Sequence, residues 1–401
     1  MASPPYVHLL RGREKYLLRT RVAEPVLRRT LGAVAAACRK ARGGASLSEI
    51  RSPARLLVVH RIRIGDAVVI TPLLRALKAR FPETELTLVA SPVVADFMRR
   101  APGVDRVIPF APRRGEGVRR AAARAAEMAG PSGLAFVLDF TPLSVRIARR
   151  AGAAVRIGYD DHGRGFGLTH TLPWPAEWAR ATADYPAGLA PRHQAERWLA
   201  LGTLVGASDA DPQPRLAVNR DAAWESLLPG AGFPEDARVL LIHPGSDPAY
   251  RWRPERWAEI TDALSQRHAL RVVISGGPED GGVVDRVRGL LKTDAFDILK
   301  AGLETALDIA GRAELVVTVD TCLGHFASAA GTPAIVLSGP ADPRIWRPYG
   351  KAHVVMSDPS ARCGGCKQPR CALPSHLCMD GIEAAAVLRA AEDILAHRDK
   401  T

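Results

Sequence analysis

The chain has 401 residues, 47% of them apolar and 24% charged, which suits two or three domain cores and excludes wholesale disorder. Basic side chains outnumber acidic ones by 55 to 42, a formal net charge of +13, so partners rich in phosphate or acidic sugar come to mind first. Six cysteines in a chain of this length do not make a disulfide framework.

Much of the charge lies at the start. Residues 1–45 hold ten basic and two acidic side chains, eight of the net thirteen charges. Leu27, Leu31, Val34, Ala35 and Cys38 recur there at helical spacing, with Arg28, Arg29, Arg39 and Lys40 between them and Pro25 where a helix can begin. A basic amphipathic helix of this kind suits an anionic membrane surface. The same face can equally pack on the main body, or the segment can be a solvated extension. Interleaved aromatics of the sort single-strand binders use are missing, so nucleic acid is not the expected partner. The uncharged run 30–38 is far short of the roughly 20 residues that span a bilayer. Charges also interrupt every apolar run near the start, as no secretory signal allows, and an intracellular protein is expected.

From residue 54 onward, short β-rich runs alternate with helical segments. Strands are predicted at 56–60, 86–89, 104–108 and 135–139, with a helix at 72–80. Unalternating apolar runs such as Leu56-Leu57-Val58-Val59 suit a parallel sheet buried on both faces. Residues 160–194, rich in Gly, Pro, Trp and His, read as a long loop region. The polar, proline-bearing run 208–214 reads as a linker. Beyond it the alternation restarts, with strands at 239–242, 270–275, 316–319 and 334–337, helices at 255–267 and 280–291, and a last helix at 382–397. Two successive parallel βαβ arrays predict an α/β chain of two Rossmann-like domains facing a cleft. The expected division is a basic helical extension at 1–50, a first domain at 51–207, a linker at 208–220, a second domain at 221–380 and a terminal helix at 381–401.

Four motifs sit where such sheets open into a crevice. Arg61-Ile62-Arg63-Ile64-Gly65-Asp66 follows the first strand. Asp66 is either a general base or an ordinary N-cap aspartate. Ile242-His243-Pro244-Gly245-Ser246 opens the second array, and Arg251 or Arg253 just beyond it has guanidinium geometry suited to a diphosphate. Trp252 and Trp257 are expected in the core. Ser275-Gly276-Gly277-Pro278-Glu279 allows close approach of a ligand or simply a tight turn. Asp320-Thr321-Cys322-Leu323-Gly324-His325 ends a β-branched strand and starts a helix whose free N–H groups attract phosphate. There Thr321 either caps the helix or helps hold an anion. No dinucleotide fingerprint and no P-loop lysine motif is present, which argues against a dehydrogenase and an ATPase.

In this order and spacing, the motifs resemble the bacterial heptosyltransferases, glycosyltransferase family 9, from about residue 56 to the last helix. The resemblance implies a GT-B fold and an inverting transfer that needs no metal at the reaction centre. It implies ADP-heptose as donor, a lipopolysaccharide core as acceptor and a site at the cytoplasmic face of the inner membrane. Asp66 matches the family's catalytic aspartate, and Asp320 its donor-site acid. Ser246, Arg251, Gly276, Gly277 and the run from Thr321 through Cys322, Leu323 and Gly324 to His325 would hold the donor, with His325 pointing at its phosphates. Arg61 and Arg63 would meet the acceptor's phosphates and acidic sugars. Two departures stand out. The family's lysine before an Arg/His-Trp pair is Tyr250 here, leaving Arg251 to supply charge, and its Asp-Thr-Gly reads Asp320-Thr321-Cys322.

Cys363, Cys366, Cys371 and Cys378 cluster in a Gly/Pro/basic loop with His376, a spacing that suits a structural zinc or iron site or a reduced cysteine knot without metal. Bound metal there would favour a protein side chain as acceptor, as in autotransporter heptosyltransferases. Two rival functions are a nucleotide- or nucleic-acid-binding protein that uses the basic extension and a GT-B-fold sugar epimerase.

Overall fold

The computed structural model describes residues 52–61, 63–139, 141–160, 166–173, 193–209, 211–221, 232–358 and 376–398, together with 47, 50, 224–225, 360–361, 366 and 368–373. The predicted helix of the basic extension and Cys363 lie outside the described residues. Among those described, no helix is long and apolar enough to cross a membrane.

Two six-stranded parallel sheets form the frame. The first contains β1 (Arg55–His60), β2 (Glu85–Ala90), β3 (Arg106–Pro109), β4 (Leu134–Val137), β5 (Val155–Asp160) and β6 (His170–Pro173), in the order β3-β2-β1-β4-β5-β6. The second contains β7 (Val239–His243), β8 (Arg271–Ile274), β9 (Ala295–Asp297), β10 (Leu315–Val319), β11 (Ala334–Leu337) and β12 (His353–Met356), in the order β12-β11-β10-β7-β8-β9. Read outward from β1 and from β7, both follow the same doubly wound order. Each has a switch point, between β1 and β4 and between β7 and β10, where a crevice opens at the carboxyl ends.

Residue alternation decides which helices cover which face. On β1, Leu56 and Val58 point into a core that continues into the second sheet through Leu241 and Val316, whereas Leu57 and Val59 point the other way. The inner core carries the helices Ile64–Val69, Thr71–Arg80, Pro92–Met98 and Gln194–Gly202. On the outer face of the first sheet lie Val118–Ala129 and Pro142–Arg150. The outer face of the second sheet is covered by Pro254–His268, Gly281–Leu290 and the terminal helix Ala384–Arg398. That helix buries Val387, Ala391 and Leu395. As expected, Trp252 and Trp257 are core residues, stacked edge to face at 5.5 Å.

Two differences from the predicted elements have simple reasons. Residues 160–194 are not wholly loop, because His170–Pro173 pairs with β5 as an edge strand; its His-Thr-Leu-Pro run lacks the apolar continuity of a buried strand. A short helix, Ile64–Val69, precedes the predicted one, its Ala67-Val68-Val69 buried against the inner core.

The halves are also joined directly. Arg100 of the first half pairs with Asp308 at 2.6 Å and Glu304 at 3.1 Å. Phe97 meets Phe326 edge to face at 5.2 Å. The Tyr349 hydroxyl donates to Glu196 at 2.9 Å, and His193 Nε2 donates to the Arg347 carbonyl at 2.6 Å. Between the sheets, the segment after residue 208 is gathered by Arg75, which pairs with Asp209 at 2.6 Å and donates to the Gln213 carbonyl at 3.2 Å.

Candidate active site

The four motifs converge where the two switch points face each other. β1 delivers Arg61, Arg63 and Asp66; β10 delivers Asp320 through His325; β7 and β8 deliver the loops at Gly245 and Gly276.

Asp66 is not an N-cap. The cap position of Ile64–Val69 is Arg63, whose side chain makes no capping bond, and Asp66 stands in the first turn. The residue is 5% exposed and Oδ1 has no hydrogen-bond partner. Burial pushes it up to about 7, against the pull of the Arg63 guanidinium. Asp320, half-buried at the crevice floor, is raised by loss of solvation to about 6, again opposed by Arg63. The exposed Arg63 thus acts on carboxylates from both halves. Arg61 is half-buried, its guanidinium 5.6 Å from the ring of Phe110 and its Nε unpartnered.

The helix Cys322–Ala330 begins because Thr321 caps it, accepting from Leu323 N–H at 3.4 Å, and ends at Gly331 in the left-handed region (φ 76°). Thr321 Oγ1 also lies 2.9 Å from Thr318 Oγ1. The capping reading of Thr321 is therefore realised. The Leu323 side chain is core, so only its backbone faces the crevice chemistry. Gly324 lets the helix approach the sheet: a Cβ there would stand 3.0 Å from Pro348 and 3.1 Å from Val336. The half-buried Cys322 keeps its proton, because burial pushes the thiol up to about 12.

His325 differs from expectation. Its ring turns to the opposite half and lies on Gly65, where a Cβ would fall 2.8 Å from Cδ2. It is 6% exposed, Nδ1 is unpartnered, and burial drives it down to about 3, with His193 and His353 adding in the same direction. It is a neutral imidazole, not a standing cation.

In the second half, Arg251 Nε donates to the Ser246 carbonyl at 2.7 Å, closing the loop that follows β7. Arg253 instead pairs with Asp380 at 2.7 Å. Tyr250 is half-buried; burial first, and Asp320 second, push its phenol to about 12. A buried residue not singled out from sequence, Asp280, organises both glycine loops. It accepts from Gly277 N–H at 2.8 Å, and a Cβ on Gly245 would overlap its carboxyl. The signal was its place three residues beyond Gly277, the spacing of a reciprocal cap. Asp139, after β4, was also missed. It accepts from the Thr141 N–H at 2.9 Å and the Ser144 hydroxyl at 2.7 Å, and its charge is felt by His60 and Arg61.

The cysteine loop does not show a metal centre among the described residues. Cys366 and Cys371 are exposed, Cys378 is buried in the helix Leu377–Asp380, and among the described residues no group of three or more His, Cys, Asp or Glu side chains is gathered to hold an ion.

Comparison with known proteins fits this arrangement. Residues 143–376 match the model of glycosyltransferase family 9 (heptosyltransferase). Lipopolysaccharide heptosyltransferase 2 of Escherichia coli is 25% identical over 332 residues, which cover 75% of this chain and 87% of that one. The solved structure of a family 9 glycosyl transferase from Veillonella parvula superimposes with a TM-score of 0.74 at 21% identity, covering 87% of this chain and 99% of that chain. The structure of E. coli ADP-heptose lps heptosyltransferase II superimposes at 0.71 and 21% identity, over 86% and 99% of the two chains.

Proposed function

The chain belongs to glycosyltransferase family 9, the heptosyltransferases, and on that premise we propose that it moves heptose from ADP-heptose to a lipopolysaccharide core acceptor, with inversion and with Asp66 as general base. The observation that carries the mechanism is the buried Asp66 carboxylate, its Oδ1 without a partner, at the β1 switch point opposite the Asp320–His325 turn. An acceptor hydroxyl would give its proton to Asp66 as its oxygen bonds to the anomeric carbon. The bond from that carbon to the diphosphate oxygen breaks, and ADP leaves with the electron pair. Loss of solvation makes Asp66 a stronger base than an ordinary carboxylate, as proton abstraction near neutral pH requires.

The leaving diphosphate needs positive potential. Helix N–H groups beyond Thr321, Arg251 and Arg63 supply it on this reading, with Asp320 and Ser246 completing the donor site. His325 serves as a neutral hydrogen-bonding ring between the halves. No metal is assigned to the reaction centre. The protein would work at the cytoplasmic face of the inner membrane, where its acceptor is anchored.

The test is mass spectrometry of a heptose-free core acceptor incubated with the enzyme and ADP-heptose. Addition of one heptose is expected. Turnover of UDP- or GDP-sugars in its place, transfer to a protein side chain only, or donor epimerisation without acceptor would each overturn the assignment.

A further inference from the structure

The outer faces of the two sheets differ in charge. Over the second sheet, the helices Pro254–His268, Gly281–Leu290 and Ala384–Arg398 hold six acidic side chains and six arginines, a mixed surface of the ordinary soluble kind. Over the first, residues 111–150 hold eight arginines, no lysine and three acids. Two of those acids are already engaged: Glu116 pairs with Arg124 at 2.7 Å, and buried Asp139 is bonded by Thr141 and Ser144. Glu127 alone stands against Arg114, Arg119, Arg120, Arg146, Arg149 and Arg150, all exposed.

This imbalance is concentrated by helix geometry. Val118–Ala129 presses Ala121, Ala122, Ala125 and Ala126 onto the sheet, and Pro142–Arg150 presses Leu143, Val145 and Ile147 beside them. Short alanines bring the first helix close, and the arginines project from the opposite side of the pair. Among the described residues, three of the seven large exposed apolar side chains lie on or beside these helices: Phe166 at 76%, Val118 at 43% and Met128 at 37% exposure. Phe166 is placed there because Gly167 lies against Val145.

We infer that this outer helix face is the surface on which the protein rests on an anionic bilayer, its arginines on headgroup phosphates and Phe166 and Val118 in the interfacial layer. Charge alone would serve a polynucleotide as well. Exposed apolar side chains among arginines match a lipid interface, which takes both. The face is also continuous with the site: Arg124 lies 4.5 Å from the Phe110 ring, and Arg61 stacks on the same ring. This rests on the proposed function and deepens it, by supplying the surface from which a lipid-anchored acceptor reaches Asp66.

The test is co-sedimentation of the full chain with vesicles of phosphatidylethanolamine and phosphatidylglycerol. Each arginine near an anionic surface contributes roughly a fivefold factor, so R119E/R120E/R146E/R149E should lower the partition coefficient at least about tenfold. Phe166→Ser, which changes no charge, should lower it severalfold. Both variants should still modify a delipidated, water-soluble core acceptor. Wild-type vesicle binding by the fourfold variant, with loss confined to R28E/R29E/R39E/K40E in the extension, would overturn the inference. So would salt-sensitive capture of polyuridylate with no vesicle binding. If the wild type binds vesicles through this face yet fails on the soluble acceptor, the surface stands and the transfer reading falls.

Discussion

His325 and Gly65, 260 positions apart in the chain, meet ring against backbone: the imidazole edge occupies the space where a Gly65 side chain would begin. The contact joins the helix bearing Asp66 to the helix that follows Asp320. It sets how closely the proposed base and the donor-side turn approach.

Adding one methyl group at this contact tests it. Gly65→Ala places a Cβ 2.8 Å from His325 Cδ2, and relieving such overpacking costs about 1–3 kcal/mol. Transfer should fall at least about tenfold if the strain is relieved by parting the halves. The double variant Gly65→Ala/His325→Ala should lose less than the sum of the single effects, a coupling measured by a double-mutant cycle.

The pH profile carries the signature of a buried base. Asp66 lies at about 7 in the free protein, and only its ionised form can accept a proton. The kcat/KM for transfer should rise through that pH and then level off. A profile already flat from pH 5 upward would mean that the essential base is an ordinary solvated carboxylate.

The same burial lowers stability at neutral pH. Asp66 titrates near 3.8 when unfolded and near 7 when folded, so between these values the native state binds more protons and loses stability as pH rises. Asp66→Asn should therefore unfold at a higher temperature than the wild type at pH 8, by about 2–4 °C for each kcal/mol relieved. The difference should vanish below pH 3.8. Calorimetry at both ends of the range checks the sign.

Arg100 tests the joint between the halves. Asp308 is 4% exposed and keeps the Asn219 N–H, at 2.7 Å, if the guanidinium is removed. Arg100→Ala should cost about 2 kcal/mol, as expected for hydrogen bonds to a charged group, read as a lower midpoint in urea. An unchanged midpoint would mean that the pair is solvated in solution.

What was readable in the chain follows from where function sits in a doubly wound sheet. Each crevice motif is a short local run after a β-branched strand, so Asp66, Ser246, Gly276 and Asp320 could be named in order. Contacts that assemble the crevice are not local. Gly65 with His325, Arg100 with Asp308 and Glu196 with Tyr349 lie in different halves, and no periodicity links them. The strands β6, β9 and β12 lie at sheet edges and are not the fully buried apolar runs that mark the inner strands. Asp280 escaped notice because its role is to brace the Gly245 and Gly277 loops, which only the folded arrangement brings together.

The most direct measurement is single-turnover transfer by Asp66→Asn, with calorimetric ADP binding on the same sample. The buried amide keeps the size of the carboxyl but cannot take the acceptor's proton. Transfer should fall by about 10²–10⁴-fold, with ADP affinity unchanged within about threefold. Transfer within tenfold of the wild type at unchanged ADP affinity would contradict the assignment of Asp66 as the base.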